Sequence, residues 1–188
     1  SLHSKLCLSV SGILILSGAL LLYVLEYDAS FDGLSQGERL LAALFQSVTT
    51  RTAGFATVDL SRASESGAGL MSLLMVIGGS PASTAGGVKT TTFAVLLFGI
   101  LAQARRKPSV TLFRRRLDAQ TVTRAWTICG IYFVCVTVCT LAICAVEPYS
   151  MTQVLFEVCS AIGTVGLTMG ITPQLTAFSH ILLIILMF

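Results

Sequence analysis

Two short runs, Thr52-Ala53-Gly54-Phe55 and Thr164-Val165-Gly166-Leu167, repeat one order of residue types: hydroxyl, small or apolar, glycine, bulky apolar. Glycine at the third place can take φ > 0 and turn a carbonyl aside. Threonine adds a hydroxyl oxygen. Main-chain carbonyls left without partners can replace the hydration shell of a cation. The chemistry that these residues could do is therefore the coordination of a dehydrated positive ion. A lone Thr-x-Gly is weak evidence, because turn glycines are common. Two copies at a constant offset, each behind a short helix with an upstream phenylalanine (Phe45, Phe156), carry much more weight.

A third run is unusual in the same way. Gly78-Gly79-Ser80-Pro81-Ala82-Ser83-Thr84-Ala85-Gly86-Gly87 puts four glycines and a proline inside a long apolar stretch, Leu70 to Ala104. No good helix survives that composition. The stretch predicts a half-helix, an irregular loop and a second half-helix. Irregular backbone at membrane depth is tolerated where protein buries it or a watery cavity solvates it. A packing kink needs only one or two such residues, so the run reads as unwound backbone lining a pathway. Gly86-Gly87-Val88-Lys89-Thr90-Thr91 also invites a phosphate-loop reading. That motif needs glycine directly before the lysine and a strand before the loop. Val88 intervenes and an apolar helix precedes, so nucleotide binding is rejected.

The elements that would position these runs follow from composition. Of the 188 residues, 54% are hydrophobic and 11% charged, against about 25% charged in an ordinary soluble domain. Such a surface suits lipid. Leu6 to Tyr27 and Val122 to Val146 are each long enough to span a bilayer, which takes roughly 20 apolar residues. Glu38 to Thr50 and Met151 to Ile162 are shorter and amphipathic, with Leu40, Leu41, Leu44, Phe45 and Val48 at helical spacing in the first. Ser61 to Gly69 reads as a loop. A further apolar run starts near Ala177 and stops at Phe188, which predicts that the chain is an internal piece of a longer protein, cut within its last helix.

The order span, short helix, glycine-bearing loop, span thus occurs twice. The expected fold is an all-α membrane protein with two tandem helix–pore loop–helix repeats, of four around a pseudo-fourfold axis. Residues 1–104 form one repeat with a broken second helix, 105–121 a basic linker, and 122–188 a second repeat. A short helix ending at mid-membrane aims its negative dipole end at the centre, which favours a cation. Two loops cannot encircle an ion, so two more are expected elsewhere. Arg105, Arg106, Lys107, Arg114, Arg115, Arg116 and Arg124 stand against one acid, Asp118. The positive-inside rule makes 105–124 cytoplasmic and sends both pore loops in from outside. No aromatic platform accompanies the charges, so a nucleic-acid partner is not expected.

Together these runs resemble the Trk/Ktr/HKT superfamily of potassium transporters. Ser47 to Phe55 is similar to its third pore loop, Gly78 to Lys89 to its intramembrane loop, and Phe156 to Gly170 to its fourth pore loop. The short basic linker is the more Ktr-like. The resemblance implies K⁺ uptake across the plasma membrane by a multi-pass protein, with K⁺ as transported ion and no cofactor. It implies a selectivity filter at Thr52, Ala53, Gly54, Phe55, Thr164, Val165, Gly166 and Leu167. It implies a gate at Gly78, Gly79, Ser80, Pro81, Ala82, Ser83, Thr84, Ala85, Gly86 and Gly87, with Lys89 below. It further implies a homodimer in a lipid bilayer and a cytosolic nucleotide-binding regulatory ring as partner. The filter positions other than glycine are not all alike in the two copies, which keeps a Na⁺ or mixed Na⁺/K⁺ transporter open as the alternative.

Other readings find less support. A membrane enzyme would need a catalytic set at membrane depth, and no HExxH or Ser–His pairing is visible. A non-conducting anchor subunit has no use for paired short helices. The six cysteines form no CxxC pair and read as packing residues. Arg51 beside the filter would repel cations, so it should turn away, toward a carboxylate or helix carbonyls. Glu157 is then a candidate partner or a vestibule charge. Lys89 is either a snorkelling lysine or a tether or barrier under the loop, and His180 a packing or interfacial residue.

Overall fold

The computed structural model describes residues 2–81, 85–106, 111–112, 115–116 and 118–188. The architecture is mostly helical. Helix α1 runs Leu2–Leu25, α2 Gln36–Thr49, α3 Glu65–Val76, α4 Thr90–Ala104, α5 Ala119–Cys144, α6 Met151–Ile162 and α7 Ala177–Met187. A two-residue antiparallel ribbon, β1 Thr111–Leu112 with β2 Arg115–Arg116, is a small addition to the all-α expectation. Lys107, Pro108, Phe113, Arg114 and Leu117 of the basic linker lie outside the described residues.

Two helices are long and apolar enough to cross a membrane, Ser4–Leu25 and Gln120–Cys144. Their large side chains point outward: Leu8, Ile13, Leu16, Leu20 and Val24 on α1, and Ile131, Phe133, Val134, Val138 and Leu141 on α5 are all exposed. In water such faces would drive association. In hydrocarbon they are the solvent-compatible surface.

The two short helices start alike. Ser35 caps α2 in a capping box with Glu38, and Ser150 caps α6 in a capping box with Gln153. Each hydroxyl satisfies a first-turn N–H while the longer side chain returns to the cap's own N–H. They are buried differently. On α6 the apolar Val154, Phe156 and Val158 are wholly enclosed, because α3, α5 and α7 pack around the helix. On α2 the side turned inward is Ala42, Ala43, Gln46, Ser47 and Thr49. The leucines that give α2 its helical period, Leu40, Leu41 and Leu44, face away from the rest of this chain. Small residues let α2 lie close on α1: Ser47 Oγ donates to the Ile15 carbonyl at 2.9 Å. A Cβ on Gly18 would stand 2.5 Å from that hydroxyl.

One sequence expectation is corrected. Ser61 to Gly69 is not a loop throughout, since α3 begins at Glu65 with Ser64 as its cap. Gly67, inside α3, serves packing. The Glu26 carboxylate, at the end of α1, occupies the place a Cβ there would need, 1.6 Å from Oε1. That carboxylate accepts from the N–H and hydroxyl of Ser64 and from those of Ser30. The second half has a counterpart. Glu147, just past α5, accepts from the Thr176 N–H at 2.8 Å, the Thr176 hydroxyl at 2.7 Å and the Ser179 hydroxyl at 2.6 Å. Each acid binds the start of the helix that closes its half, where the helix dipole favours negative charge.

Candidate functional site

Both short helices end in a loop with the same backbone signature. Among the described non-glycine residues, positive φ occurs at Thr52 (74°), Thr164 (52°) and Arg106 (49°). The two threonines are the first residues of the repeated runs. Gly54 (77°) and Gly166 (91°), two residues on, are positive as well. For threonine this conformation costs roughly 1–2 kcal/mol. Such strain persists only where surrounding structure imposes it. Alternating the sign of φ at every second residue lets successive carbonyls turn toward one side, which an ordinary strand does not do.

The hydrogen bonds use most of the loop donors and leave the acceptors. In the first loop the N–H groups of Ala53 and Gly54 both donate back to the Thr49 carbonyl, at 3.0 and 3.3 Å. Thr49 Oγ1 accepts from the Phe55 N–H at 2.8 Å and donates to the Phe55 carbonyl at 2.6 Å. In the second loop Thr164 N–H donates to Ala161, Val165 N–H to Ser160, and Gly166 N–H to the Ser160 hydroxyl at 3.2 Å. A hydroxyl in the last turn of each helix thus closes its loop over the same span. Among the described residues, the carbonyls of Thr52, Ala53, Gly54, Thr164, Val165 and Gly166 accept nothing. Val165 is buried, Thr52 and Gly54 are half-buried, and Ala53, Thr164 and Gly166 are exposed, so most of these oxygens are open to water or an ion.

The loops touch. A Cβ on Gly54 would stand 2.1 Å from the Val165 carbonyl oxygen and 3.7 Å from the Gly166 Cα. The glycine-rich run joins them. Gly86 N–H donates to Thr164 Oγ1 at 2.8 Å. The run is itself laced together. Ile77 and Val88 form a parallel bridge, and Val88 N–H donates to the Val76 carbonyl at 2.9 Å. A Cβ on Gly78 would lie 1.9 Å from the Gly86 carbonyl oxygen. Lys89 folds its ammonium back onto the Ala85 carbonyl. Of the ten-residue run, Ala82, Ser83 and Thr84 lie outside the described residues; Gly78, Gly79, Ser80, Pro81, Ala85, Gly86 and Gly87 form the break between α3 and α4.

Arg51 turns from the loops toward α1. Its Nη1 donates to the Ser11 carbonyl at 3.4 Å and Nη2 to the Ser11 hydroxyl at 3.2 Å, while Nε is buried without a partner. Of the two destinations expected for it, the helix carbonyl is the one found. Glu157 is not its partner. That carboxylate accepts from Thr168, Met169 and Thr172, on the chain leaving the second loop. His180 Nε2 lies 2.9 Å from the Thr172 carbonyl, packing the same segment. No disulfide joins the six cysteines. No group of three or more His, Cys, Asp or Glu that could hold a metal ion occurs among the described residues.

A family profile described as "TrkH: Cation transport protein" matches residues 5–188. The chain belongs to the TrkH family. Among relatives of this TrkH-family chain is the Ktr system potassium uptake protein D of Bacillus subtilis, 37% identical over 188 residues, covering 100% of this chain and 42% of that protein. Another is the potassium/sodium uptake protein NtpJ of Enterococcus hirae, 39% identical over 198 residues, covering 100% of this chain and 43% of the relative. The crystal structure of the potassium transporter TrkH from Vibrio parahaemolyticus aligns with a TM-score of 0.82 at 20% identity, over 98% of this chain and 42% of that one. This likeness establishes the fold. The chain spans about two fifths of the length of these relatives. The family is one of cation transport proteins.

Sequence reasoning found the two loops and the break. It missed the residues that brace them. Thr49 and Ser160 were legible as hydroxyls in the last turn of each short helix. Glu26 and Glu147 were visible only as acids after a span. Nothing in the sequence says which N-terminus each will hold.

Proposed function

We propose that this TrkH-family chain contributes two filter loops and an intramembrane gate to a potassium uptake protein of the plasma membrane. One observation carries the reading: among the described residues, six carbonyls in two touching loops accept no hydrogen bond, while the N–H groups of Ala53, Gly54, Thr164, Val165 and Gly166 are spent on their own helices. Water or a cation must satisfy those oxygens, and a path of bare carbonyls is what a dehydrated K⁺ requires. On this reading Thr52 to Phe55 and Thr164 to Leu167 line the filter. Gly78 to Gly87 sits against it as the gate, with Lys89 tethering its end. Residues 1–104 and 122–188 are two helix–pore loop–helix repeats, and further repeats complete a four-sided path. The linker 105–124 is cytoplasmic and the pore loops enter from outside. The complete protein works as a homodimer with a cytosolic nucleotide-binding ring, and needs no cofactor beyond the ion it carries.

A second reading, a mixed Na⁺/K⁺ transporter of the same fold, draws on the relative described as a potassium/sodium uptake protein. Ion competition in the full-length protein separates the two. The first expects excess Na⁺ to leave K⁺ uptake unchanged; the second expects Na⁺ to compete or to be carried. Substituting Gly54 with serine in the full-length protein should reduce K⁺ uptake or change ion preference. Wild-type uptake and preference in that variant would refute the filter assignment.

A further inference from the structure

The second loop and the chain leaving it alternate strictly in exposure. Gly163, Val165, Leu167 and Met169 are buried, and Thr164, Gly166, Thr168 and Gly170 are exposed. Val165, Leu167 and Met169 belong to the main hydrophobic core, with Phe156, Met71 and Met75. This outward limb is therefore a single extended ribbon with one side fixed in the protein and the other open. At its far end three polar groups, the Thr168 and Thr172 hydroxyls and the Met169 N–H, are received by Glu157.

Glu157 lies on α6 and is 5% exposed. Its Oε1 accepts from Thr168 Oγ1 at 2.6 Å and from the Met169 N–H at 3.0 Å, and its Oε2 accepts from Thr172 Oγ1 at 2.7 Å. The two hydroxyls stand 2.8 Å apart, closing a ring of three side chains. The Gly170 N–H donates into the ring at Thr168 Oγ1, 2.9 Å. A buried carboxylate is held in place only when its lone pairs are filled and its geometry is good, and here three donors supply that. The first loop has nothing similar. Counting back from its Thr-x-Gly, Phe45 occupies the matching place.

We propose that Glu157 is a positioning residue for ion selection: through Thr168, Met169 and Thr172 it clamps the outward limb of the second loop so that Gly166 keeps its open side toward the ion path. The inference rests on the filter reading above. It adds that one of the two loops is held by a buried charge. Filter selectivity depends on how firmly oxygens are held at a fixed spacing, and slackening the limb lets the site relax around a smaller ion.

The test uses the full-length transporter, with abundance and oligomeric state measured in the same membranes. In Glu157→Gln the side-chain shape is kept while the charge and one acceptor are lost. K⁺ over Na⁺ discrimination should fall by about tenfold, the equivalent of one charge-assisted hydrogen bond, with KM for K⁺ rising. Glu157→Asp should recover part of the discrimination. If Glu157→Gln fails to assemble, Thr168→Val decides the matter: it removes one donor, leaves the carboxylate in place, and should shift discrimination in the same direction by a smaller factor. Normal abundance with unchanged ion preference in Glu157→Gln, or in Thr168→Val where the first cannot be made, overturns the proposal. Gly166→Ser in the same assay isolates the cause. If Gly166→Ser alters preference and the Glu157 and Thr168 variants do not, only the role of Glu157 falls. If Gly166→Ser is also without effect, the filter reading falls with it.

Discussion

The two loops share a backbone and differ in what surrounds it. Thr52 and Gly54 repeat the positive φ of Thr164 and Gly166, so the local conformation is common to both. The second loop is embedded: Val165 and Leu167 lie in the core, and Glu157 grips the limb beyond. The first is lightly held, with Ala53 and Phe55 exposed. Its restraints are the Thr49 hydroxyl and the reach of Arg51 to α1. The same main-chain geometry is thus reached by two routes, side-chain packing in one case and hydroxyl bridging in the other. Conformation is dictated by the Thr-x-Gly run; its support is not.

The comparison can be broken first at the glycines. A Cβ on Gly54 meets a carbonyl oxygen at 2.1 Å, and neither partner is a side chain that can swing aside. Gly166 has nothing within 4 Å of its would-be Cβ among the described residues. Gly54→Ala should abolish K⁺ uptake by the full-length protein. Gly166→Ala faces only the left-handed backbone penalty of roughly 1–2 kcal/mol and should retain measurable uptake. Equal losses in the two variants would mean that the loops are not supported differently.

The hydroxyl braces sharpen the same contrast. Thr49→Val removes two hydrogen bonds and strands the Phe55 N–H, a loss of about 1–3 kcal/mol. Ser160→Ala removes one bond from a loop that core packing also holds, at about 1 kcal/mol. Thermal unfolding of the purified full-length transporter should place Thr49→Val below Ser160→Ala, and reversal of that order would contradict the division of labour.

The smallest expected effect concerns the acids that hold helix starts. The Ser179 hydroxyl, with the N–H and hydroxyl of Thr176, holds the Glu147 carboxyl below the usual carboxylate range. A group depressed in the folded state binds protons more readily when unfolded. Its contribution is complete above the ordinary carboxylate value of 4.5, and is lost as pH falls through the lower, folded-state value. Melting temperature measured downward from pH 6 should therefore decline in acid. Glu147→Gln should be less stable at pH 6 and show a shallower acid decline, and an unchanged acid slope would remove Glu147 from the account.

Much of this arrangement was readable from residue order. Met151 to Ile162 and the start at Ala177 coincide with α6 and α7, because a serine cap and a proline-bearing turn mark them. The broken stretch before Lys89 was equally clear, since four glycines leave little choice. Two features were not legible. The start of α3 inside Ser61 to Gly69 was one, because the purpose of Gly67, room for Glu26, depends on a residue some forty places away. The leucines of α2 gave the right period and no direction. Only the fold tells which side of that helix meets α1, and there small residues win because they permit closer approach.

The bond from Gly86 ties the glycine-rich run to the second loop through the Thr164 hydroxyl. On the proposed reading, an ion drawing on that hydroxyl and a gate leaning on it share the same lone pairs. Thermodynamic reciprocity then applies: any bias that occupancy exerts on the gate is returned, in equal free energy, as a bias of the gate on occupancy. If the two segments are valve and sieve, they cannot be tuned separately, and a change that loosens one will be felt as altered affinity in the other.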